Sequence, residues 1–351
     1  MDRIDLRSDT VTHPTQAMRD AMYSAEVGDD VFGEDPTVNR LQEMAAERLG
    51  MEAGLFLPSG TMGNLVAVLA HCGRGDEVIL GHLAHTFLYE GGGIAALGGI
   101  HPHTVPNEAA GTITMANLNG ALRPDNPHQP ISRLVCLENT HNRCGGVPIT
   151  AEYTAQVGEF CREHGLSLHI DGARIFDAQV ALGTPASELV APADSITFCL
   201  SKGLCAPVGS VLCGSRAFIL KAIRVRKMVG GGMRQAGMIA AAGIVALDSM
   251  IERLAEDHAR AKTLARALAQ LPGVSLETDP PPGAMIYIRF DPFAPLNAEG
   301  FQAAMAQEGV TLGTLGPDRM RLVVHYWITD DVLEHVIAAA QRVFEAAGTR
   351  K

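Results

Sequence analysis

Two residues with complementary chemistry each follow a short apolar run. Asp171 ends the segment LSLHID, and Lys202 comes shortly after SITFCL. Short apolar runs bounded by polar residues predict buried parallel strands. The carboxyl ends of such strands form the edge of an open α/β sheet at which ligands bind. We therefore expect the carboxylate and the amine to approach one small molecule at that edge.

A carboxylate and an amine at one sheet edge are the pair that pyridoxal 5'-phosphate (PLP) requires. A lysine bonds to the aldehyde of this cofactor, and an acid keeps its pyridine nitrogen protonated. The pair alone leaves a second interpretation open, in which Asp171 and Lys202 form a buried ion pair or the lysine is exposed after its strand. The segments that follow favour the cofactor.

The segment LFLPSGTMGN has the features of a strand that turns directly into a helix. The predicted strand ends at Leu57, and the helix begins near Thr61 after a Pro-Ser-Gly turn. Backbone N–H groups at such a helix start, together with the Thr61 hydroxyl, can bind a phosphate. An ordinary helix cap made of small residues is the alternative interpretation.

Histidines and arginines near predicted strand ends supply further candidate groups. His85, in GHLAHTFLYEGGG, follows a strand and precedes a helix, where an imidazole can lie on a cofactor ring or transfer protons. His82 is an alternative for this role. Arg174 leaves the same strand end as Asp171, and Arg321 opens the run RLVVH. Either guanidinium can bind a substrate carboxylate through two hydrogen bonds.

A basic segment, RKMVGGGMRQAG, places three glycines between Lys227 and Arg234. The glycines expose the backbone between the two cationic side chains. The segment is either a solvated basic loop or a site for an anionic group.

The elements that position these residues alternate between strand and helix through most of the chain, which predicts a mostly parallel sheet covered on both faces. Strands are predicted at Gly54–Leu57, Glu77–Gly81, His101–Val105, Arg133–Glu138, Ser167–Asp171, Ser195–Leu200 and Ser210–Gly214. Helices are predicted over Pro14–Val27 and from Asp35 to Gly50, and Ala236–Leu271 is predicted to be helical throughout. Later strands are predicted at Ala284–Phe290 and Met320–His325, and later helices at Ala298–Gln307 and Asp330–Ala346.

This order of elements predicts an α/β protein with two domains. Residues 1–14 form an N-terminal arm, residues 15–250 a large PLP-binding domain with a doubly wound seven-stranded sheet, and residues 251–351 a small C-terminal α+β domain. The length of 351 residues supports the division, because one hydrophobic core seldom serves so long a chain.

The composition limits the classes of partner. Hydrophobic residues make up 47% of the chain and charged residues 19%, as in a compact globular enzyme. The net charge of −11, without a Lys/Arg block, argues against a nucleic-acid or anionic-membrane partner. The 7 cysteines contain no CxxC pair, so neither a disulfide framework nor a zinc site is indicated. The N-terminus lacks an apolar secretory segment, and we expect a cytoplasmic protein.

Eight segments together resemble L-threonine aldolase of the low-specificity type, and they occur in that family's order over nearly the whole chain. The segments are RSDT, GDDVFGEDPTVN, SGTMGN, AHTFLYEGGG, LENTHN, HIDGARIF, SKGLCAPVGS and RKMVGGGMRQAG. The resemblance implies the aspartate-aminotransferase fold of PLP enzymes. It also implies a homotetramer built from two tight dimers, with active sites shared across the dimer interface.

The resemblance further implies a role for each candidate residue. The residues implied to bind the cofactor are Lys202, Gly60, Thr61, His85, Asp171, Arg174, Lys227 and Arg234, the last two from the neighbouring subunit. The residues implied to bind the substrate are Ser8, His85, His128, Arg174 and Arg321, and those implied in catalysis are Lys202, His85, His128 and Asp171. Phe32 departs from the family pattern, in which tyrosine is common. Some relatives also hold a structural cation, whose ligands this sequence does not identify.

The activity that the resemblance implies is PLP-dependent cleavage of L-threonine or L-allo-threonine to glycine and acetaldehyde. A base, either His85 directly or through water with His128 assisting, takes the β-hydroxyl proton. The alternatives are another PLP lyase of this fold, acting on phenylserine, β-hydroxyaspartate or a β-eliminating substrate, and a non-catalytic PLP-binding protein. The sequence leaves open the preference between threonine and allo-threonine and the choice of base.

Overall fold

The computed structural model describes residues 4–349. The chain forms two compact units, one from His13 to Ile251 and one that joins the segment ending at Thr12 to the segment beginning at Glu252. The strands are β1 (Ile4–Asp5), β2 (Ala53–Leu57), β3 (Asp76–Gly81), β4 (His101–Val105), β5 (Ile131–Glu138), β6 (Ser167–Asp171), β7 (Ser195–Cys199), β8 (Ser210–Gly214), β9 (Val274–Leu276), β10 (Met285–Phe290), β11 (Val310–Thr311), β12 (Gly313–Thr314) and β13 (Arg319–Val323).

Helices cover most of the remaining chain. The α-helices are α1 (Gln16–Ser24), α2 (Pro36–Leu49), α3 (Gly60–His71), α4 (His85–Leu88), α5 (Gly93–Ala96), α6 (Met115–Ala121), α7 (Ala151–Glu163), α8 (Ile175–Leu182), α9 (Ala186–Leu189), α10 (Arg216–Met228), α11 (Gly237–Val245), α12 (Leu254–Leu268), α13 (Ala298–Gln307) and α14 (Asp330–Gly348). Short 3-10 turns lie at Asp9–Val11, Asp30–Phe32 and Asn142–Cys144.

The larger unit is built on a seven-stranded sheet in the order β2-β8-β7-β6-β5-β3-β4. Strand β8 runs antiparallel to both of its neighbours, and all the other pairs are parallel. Every residue of β7 and β8 is buried, as expected of strands that are covered on both faces. The mostly parallel seven-stranded sheet that the sequence predicts is confirmed, with each predicted strand in place.

Local sequence explains how the helices of this unit begin and pack. Asp35 caps α2, because its carboxylate accepts the N–H groups of Thr37 and Val38, and Pro36 occupies the first helical position. The buried face of α2 carries Val38, Leu41, Met44, Ala45 and Leu49, which are the residues expected from their 3.6-residue spacing.

The segment Ala236–Leu271 differs from the prediction of an uninterrupted helix. Helix α11 ends at Val245, Ala246–Met250 forms a π-helical turn, and residues 251–253 form a further turn before α12. The boundary between the two compact units lies at this break, so α11 packs on α1 and α2 while α12 packs on α14. An alanine-rich sequence cannot signal such a break, because its helical propensity stays high throughout.

The smaller unit contains a four-stranded antiparallel sheet in the order β12-β13-β10-β9 and a two-stranded parallel ladder between β1 and β11. Its core includes Ile288, Phe301, Leu322 and Phe344. The short strands β1, β9, β11 and β12 were not predicted, because two or three residues are too few to show a period. None of the helices within residues 4–349 has the length and apolarity that crossing a bilayer requires.

Candidate active site

Asp171 and Lys202 come from neighbouring strands of the larger sheet. Asp171 is the last residue of β6 and stands opposite Thr197 of β7, and Lys202 follows the end of β7. Asp171 is buried, and both its carboxylate oxygens accept hydrogen bonds, Oδ1 from the Ala173 N–H at 3.1 Å and Oδ2 from Asn64 at 2.9 Å. Lys202 is half-buried. The structure therefore brings these two predicted site residues to one sheet edge.

Helix α3 begins beside the same sheet edge. Ser59 caps it through a hydrogen bond from the Met62 N–H at 3.2 Å, and the N–H groups of Gly60 and Thr61 have no acceptor within the helix. A Cβ at Gly60 would lie 2.7 Å from Cys199 Sγ, so only glycine lets the helix start approach the end of β7 this closely. The helix start thus presents N–H donors and a positive dipole end beside the end of β7, as an anion site requires.

His85 lies between three carboxylates and Lys202. Its backbone N–H donates to Glu138 Oε2 at 2.7 Å, and its ring Nδ1 lies 2.9 Å from Glu90 Oε1. The pKa of His85 is raised, first by this hydrogen bond to Glu90 and further by the charge of Asp171, while burial and Lys202 act in the opposite direction. Because His85 experiences the fields of Asp171 and Lys202, all three belong to one electrostatic environment.

The buried side-chain amide of Asn64 connects the hydrogen-bonded pair His85 and Glu90 to Asp171. Asn64 Nδ2 donates to Glu90 Oε1 at 2.8 Å and to Asp171 Oδ2 at 2.9 Å, and Asn64 Oδ1 lies 3.2 Å from His169 Nε2. Burial raises the pKa of Glu90, although its hydrogen bonds favour the charged form. Asn64 and Glu90 were not recognised as site residues from the sequence, although both lie inside segments that carry the family resemblance.

The hydrogen bonds continue from His169 through the sheet. His169 Nδ1 lies 2.9 Å from Ser195 Oγ, which lies 2.8 Å from His71 Nε2. Burial lowers the pKa of His169 to about 3 and that of His71 to about 4, so both rings are neutral at physiological pH. We call the set His71, Ser195, His169, Asn64, Asp171 and Glu90 the Asn64 network.

Three side chains of this region are of types that bind metal ions. Ligand atoms of His85, Glu90 and Asp171 all lie within 4.8 Å of one another. The Asn64 amide donates to both carboxylates, and the His85 ring bonds to Glu90. Hydrogen bonds therefore account for the closeness of these groups without a cation.

The remaining histidine and arginine candidates of the larger unit occupy different environments. The His82 ring accepts the Asn107 N–H at 2.9 Å, which gives it a structural task in its loop. His128 lies in an exposed turn, where its N–H donates to Asn126. Arg174 is buried at the start of α8, three residues after Asp171. The structure thus places Arg174 at the Asp171 strand end and His128 on the surface of the unit.

The basic glycine segment lies beside the acidic GDD motif. The Arg234 guanidinium donates to both carboxylate oxygens of Asp29, at 3.2 and 2.9 Å, and Arg226 forms a buried ion pair with Asp30 at 2.9 Å. Lys227 lies in the last turn of α10 and lines a cavity of about 690 Å³ with Phe32. In the single chain, Asp29 therefore neutralises the Arg234 charge.

Ser8 and Arg321, the two residues of the smaller unit that are predicted to bind the substrate carboxylate, form hydrogen bonds to residues of that same unit. Ser8 Oγ caps the first 3-10 turn by accepting the Thr10 N–H at 3.2 Å. Arg321, on β13, donates from Nη2 to the Arg7 carbonyl at 3.1 Å. Arg7 itself is held by a salt bridge to Asp5.

Comparison with known proteins identifies the family of the chain. Residues 5–290 match the family model described as beta-eliminating lyase. A low-specificity L-threonine aldolase of Arabidopsis thaliana is 48% identical over 345 residues, with 97% of this chain and 96% of the relative covered. The low specificity L-threonine aldolase of Escherichia coli K12 is 46% identical over 343 residues, covering 98% and 99%. The chain belongs to the low-specificity L-threonine aldolase family.

Solved structures support the fold of the chain. The threonine aldolase of Leishmania major has a TM-score of 0.83 at 20% identity, with 97% of this chain and 99% of that chain covered. A serine palmitoyltransferase of Sphingomonas wittichii has a TM-score of 0.77 at 19% identity, covering 99% and 88%. At these identities the likeness shows the fold alone. It confirms the expectation of an aminotransferase-like fold, and the family confirms the predicted PLP-dependent lyase class.

Proposed function

We propose that the protein cleaves L-threonine, L-allo-threonine and related β-hydroxy-α-amino acids to glycine and an aldehyde, with PLP as its cofactor. The observation that carries the proposal is the approach of Asp171 and Lys202 to one sheet edge, beside His85 and the start of α3. Relatives that are 46 to 48% identical over nearly their full length carry the name of this activity.

The residues present fit PLP. Asp171 is an oriented buried carboxylate suited to the pyridine N–H, and the start of α3, which Gly60 lets pack against the end of β7, offers N–H donors for a phosphate. Lys202 supplies the amine that bonds to the cofactor aldehyde. When bound, PLP provides an electron-poor ring that takes up the electron pair released as the substrate Cα–Cβ bond breaks.

The side chains of the chain then share the remaining tasks. With PLP bound, Asp171 would keep a proton on the pyridine nitrogen, Gly60 and Thr61 would hold the phosphate, and His85 would stack on the cofactor ring. His85 and His128 are the candidates for removing the β-hydroxyl proton, a task that typically contributes about 10² to 10⁴ in rate. We assign the substrate carboxylate to Ser8, Arg174 and Arg321, following the family resemblance, since a guanidinium binds it through two hydrogen bonds.

We also propose a homotetramer of tight dimers in which Lys227 and Arg234 reach the phosphate of the neighbouring subunit. Large apolar side chains around the cavity that Lys227 lines support an interface there: Phe32 is 73% exposed and Leu220 is 61% exposed. We further propose that the protein is located in the cytoplasm. All seven cysteines are buried thiols, as is usual in a reducing compartment.

A product assay tests the proposed function. The purified protein with PLP is given L-threonine, L-allo-threonine or L-phenylserine, and the aldehyde and glycine are measured together. We expect one glycine for each aldehyde. Release of ammonia and a keto acid without glycine would instead show the β-elimination that the family model's description allows.

A further inference from the structure

We propose that Glu90 is a positioning residue, which holds the His85 ring with Nδ1 protonated and thereby makes Nε2 the atom that accepts the substrate's β-hydroxyl proton. The inference deepens the proposed function and rests on it for the identity of the substrate. It assigns a task to a residue that the mechanism above does not use, and it chooses between the two candidate bases.

The hydrogen-bond geometry fixes the location of the proton on the His85 ring. Glu90 Oε1 accepts the Asn64 amide at 2.8 Å, so this oxygen acts as an acceptor, and His85 Nδ1 lies 2.9 Å from it. Two acceptors cannot share that distance, hence Nδ1 carries the hydrogen. In a neutral imidazole, Nε2 then has the free lone pair. His85 is therefore prepared as a base at one defined atom.

The position of Glu90 is itself fixed by Asn64, which donates to the same carboxylate oxygen as His85. The Asn64 amide can satisfy two carboxylates only with its nitrogen towards them, and the His169 Nε2 at 3.2 Å from Asn64 Oδ1 holds it in that orientation. The Glu90 side chain is 3% exposed while the His85 ring is 34% exposed. Solvent thus reaches the histidine and not the carboxylate that orients it.

The charged groups around His85 come from several elements. Glu90 follows α4, Asp171 ends β6, Lys202 follows β7, and Glu138 at the end of β5 accepts the His85 backbone N–H. Of these side chains, Glu90 bonds to the ring and Glu138 bonds to the backbone. Their different contacts provide a matched pair of variants.

The proton transfer balances. The β-oxygen gives its proton to Nε2, the electrons of that O–H bond become the second C–O bond of the aldehyde, and the Cα–Cβ pair remains with the glycine half of the substrate. The glycine half then takes up one proton, so glycine and aldehyde together have the atoms of the amino acid. Glu90 is unchanged through this step.

The test compares Glu90→Gln with Glu138→Gln in the full-length protein. The first readout is histidine modification by diethyl pyrocarbonate against pH, in protein freed of PLP, with His85 followed by peptide mass spectrometry. The Glu90 hydrogen bond is the largest cause of the raised His85 pKa. Glu90→Gln therefore shifts the midpoint of the His85 modification curve to lower pH. Glu138→Gln keeps one oxygen acceptor for the His85 N–H at the expense of the bond to the Asn142 N–H, and it leaves the His85 midpoint unchanged because Glu138 is not among the causes of the raised pKa.

The second readout is steady-state kinetics of the PLP-loaded variants on threonine. In Glu90→Gln the amide oxygen still accepts from Asn64 and from Nδ1 but carries no charge, so Nε2 becomes a weaker base and kcat falls about 10-fold or more while KM changes less than about threefold. The acid limb of the pH profile of kcat/KM moves to lower pH, because the pKa of His85 is lower in the variant. Glu90→Asp keeps the charge but shortens the reach, and it shows the same directions if the glutamine variant folds poorly.

Specific results would overturn the proposal. An unchanged His85 midpoint in Glu90→Gln, or a loss of kcat equal to that of Glu138→Gln, would reduce Glu90 to a structural residue. The chemical modification involves no substrate, so it judges the positioning role even if the wild-type protein releases no aldehyde from threonine. In that case the proposed function fails while the positioning role can still stand.

Discussion

Asn64 and Asp171 are 107 residues apart in sequence, yet the amide of one donates to the carboxylate of the other at 2.9 Å. Both side chains are buried, so the bond is shielded from competing water. The contact fixes one oxygen of Asp171, while the Ala173 N–H fixes the other. Asp171 thus has a single orientation before any cofactor binds.

Replacing Asn64 by leucine should weaken PLP binding. The variant removes a hydrogen bond to a charged group, worth about 1.5 to 3 kcal/mol, and a tenfold change in Kd corresponds to about 1.4 kcal/mol. We expect the Kd for PLP, measured by absorbance titration, to rise about 10- to 100-fold. Asn119→Leu on α6 is the control, because its exposed amide bonds only to the Met115 carbonyl. Equal affinities in the two variants would contradict the role of Asn64.

Inactive subunits should complement one another if the active site is shared. Lys202→Ala removes the amine that bonds to PLP, and Arg234→Ala removes the guanidinium proposed to reach the neighbour's phosphate. Each variant alone is expected to lose most aldehyde production. Mixed after reversible dissociation, the two should regain activity, because some sites then contain both an intact Lys202 and an intact Arg234. No recovery would show that Arg234 serves only its own chain, through its bond to Asp29.

The buried histidines predict a loss of stability in mild acid. Burial lowers the pKa of His71 to about 4, whereas the pKa of an unfolded histidine is about 6.5, so the unfolded state binds more protons as the pH falls from 6.5 to 4. Stability therefore decreases through that window, by about 1.4 kcal/mol for His71 at pH 5.5. His71→Gln should reduce the difference between urea unfolding at pH 8 and pH 5.5 by this amount. The exposed His164, replaced in the same way, should leave the difference unchanged.

Two glycine substitutions should have opposite effects on unfolding. A Cβ at Gly63 would lie 2.3 Å from Thr197 Cγ2, so Gly63→Ala forces α3 away from β7 and costs about 1 to 3 kcal/mol. Gly120 lies within α6 with no atom in the way, and Gly120→Ala should stabilise by about 0.5 to 1 kcal/mol. Thermal unfolding of both variants measures the contrast. Equal shifts in Tm would mean that α3 can move without strain.

The sequence predicted the larger sheet well, because its strands are separate apolar runs bounded by turns. It could not predict the break between α11 and α12, where composition stays helical and only packing in different units decides. At the site, Asp171 and Lys202 were found because Asp171 ends a strand and Lys202 follows one closely. Asn64, a neutral amide within α3, and Glu90, on a short loop after α4, were missed because neither stands at a spacing that indicates a site. Their hydrogen-bond partners are determined by tertiary packing.

The Asn64 network has a consequence for changing what this protein accepts as substrate. The Asn64 amide nitrogen donates to two carboxylates, so the Asn64 oxygen must accept from His169. Each earlier hydrogen bond then has one allowed direction, with His71 donating to Ser195 and Ser195 donating to His169. A single replacement there leaves a mismatched pair in the interior of the sheet. Libraries for new aldehyde acceptors are therefore better directed at residues outside this set, or at several of its members exchanged together.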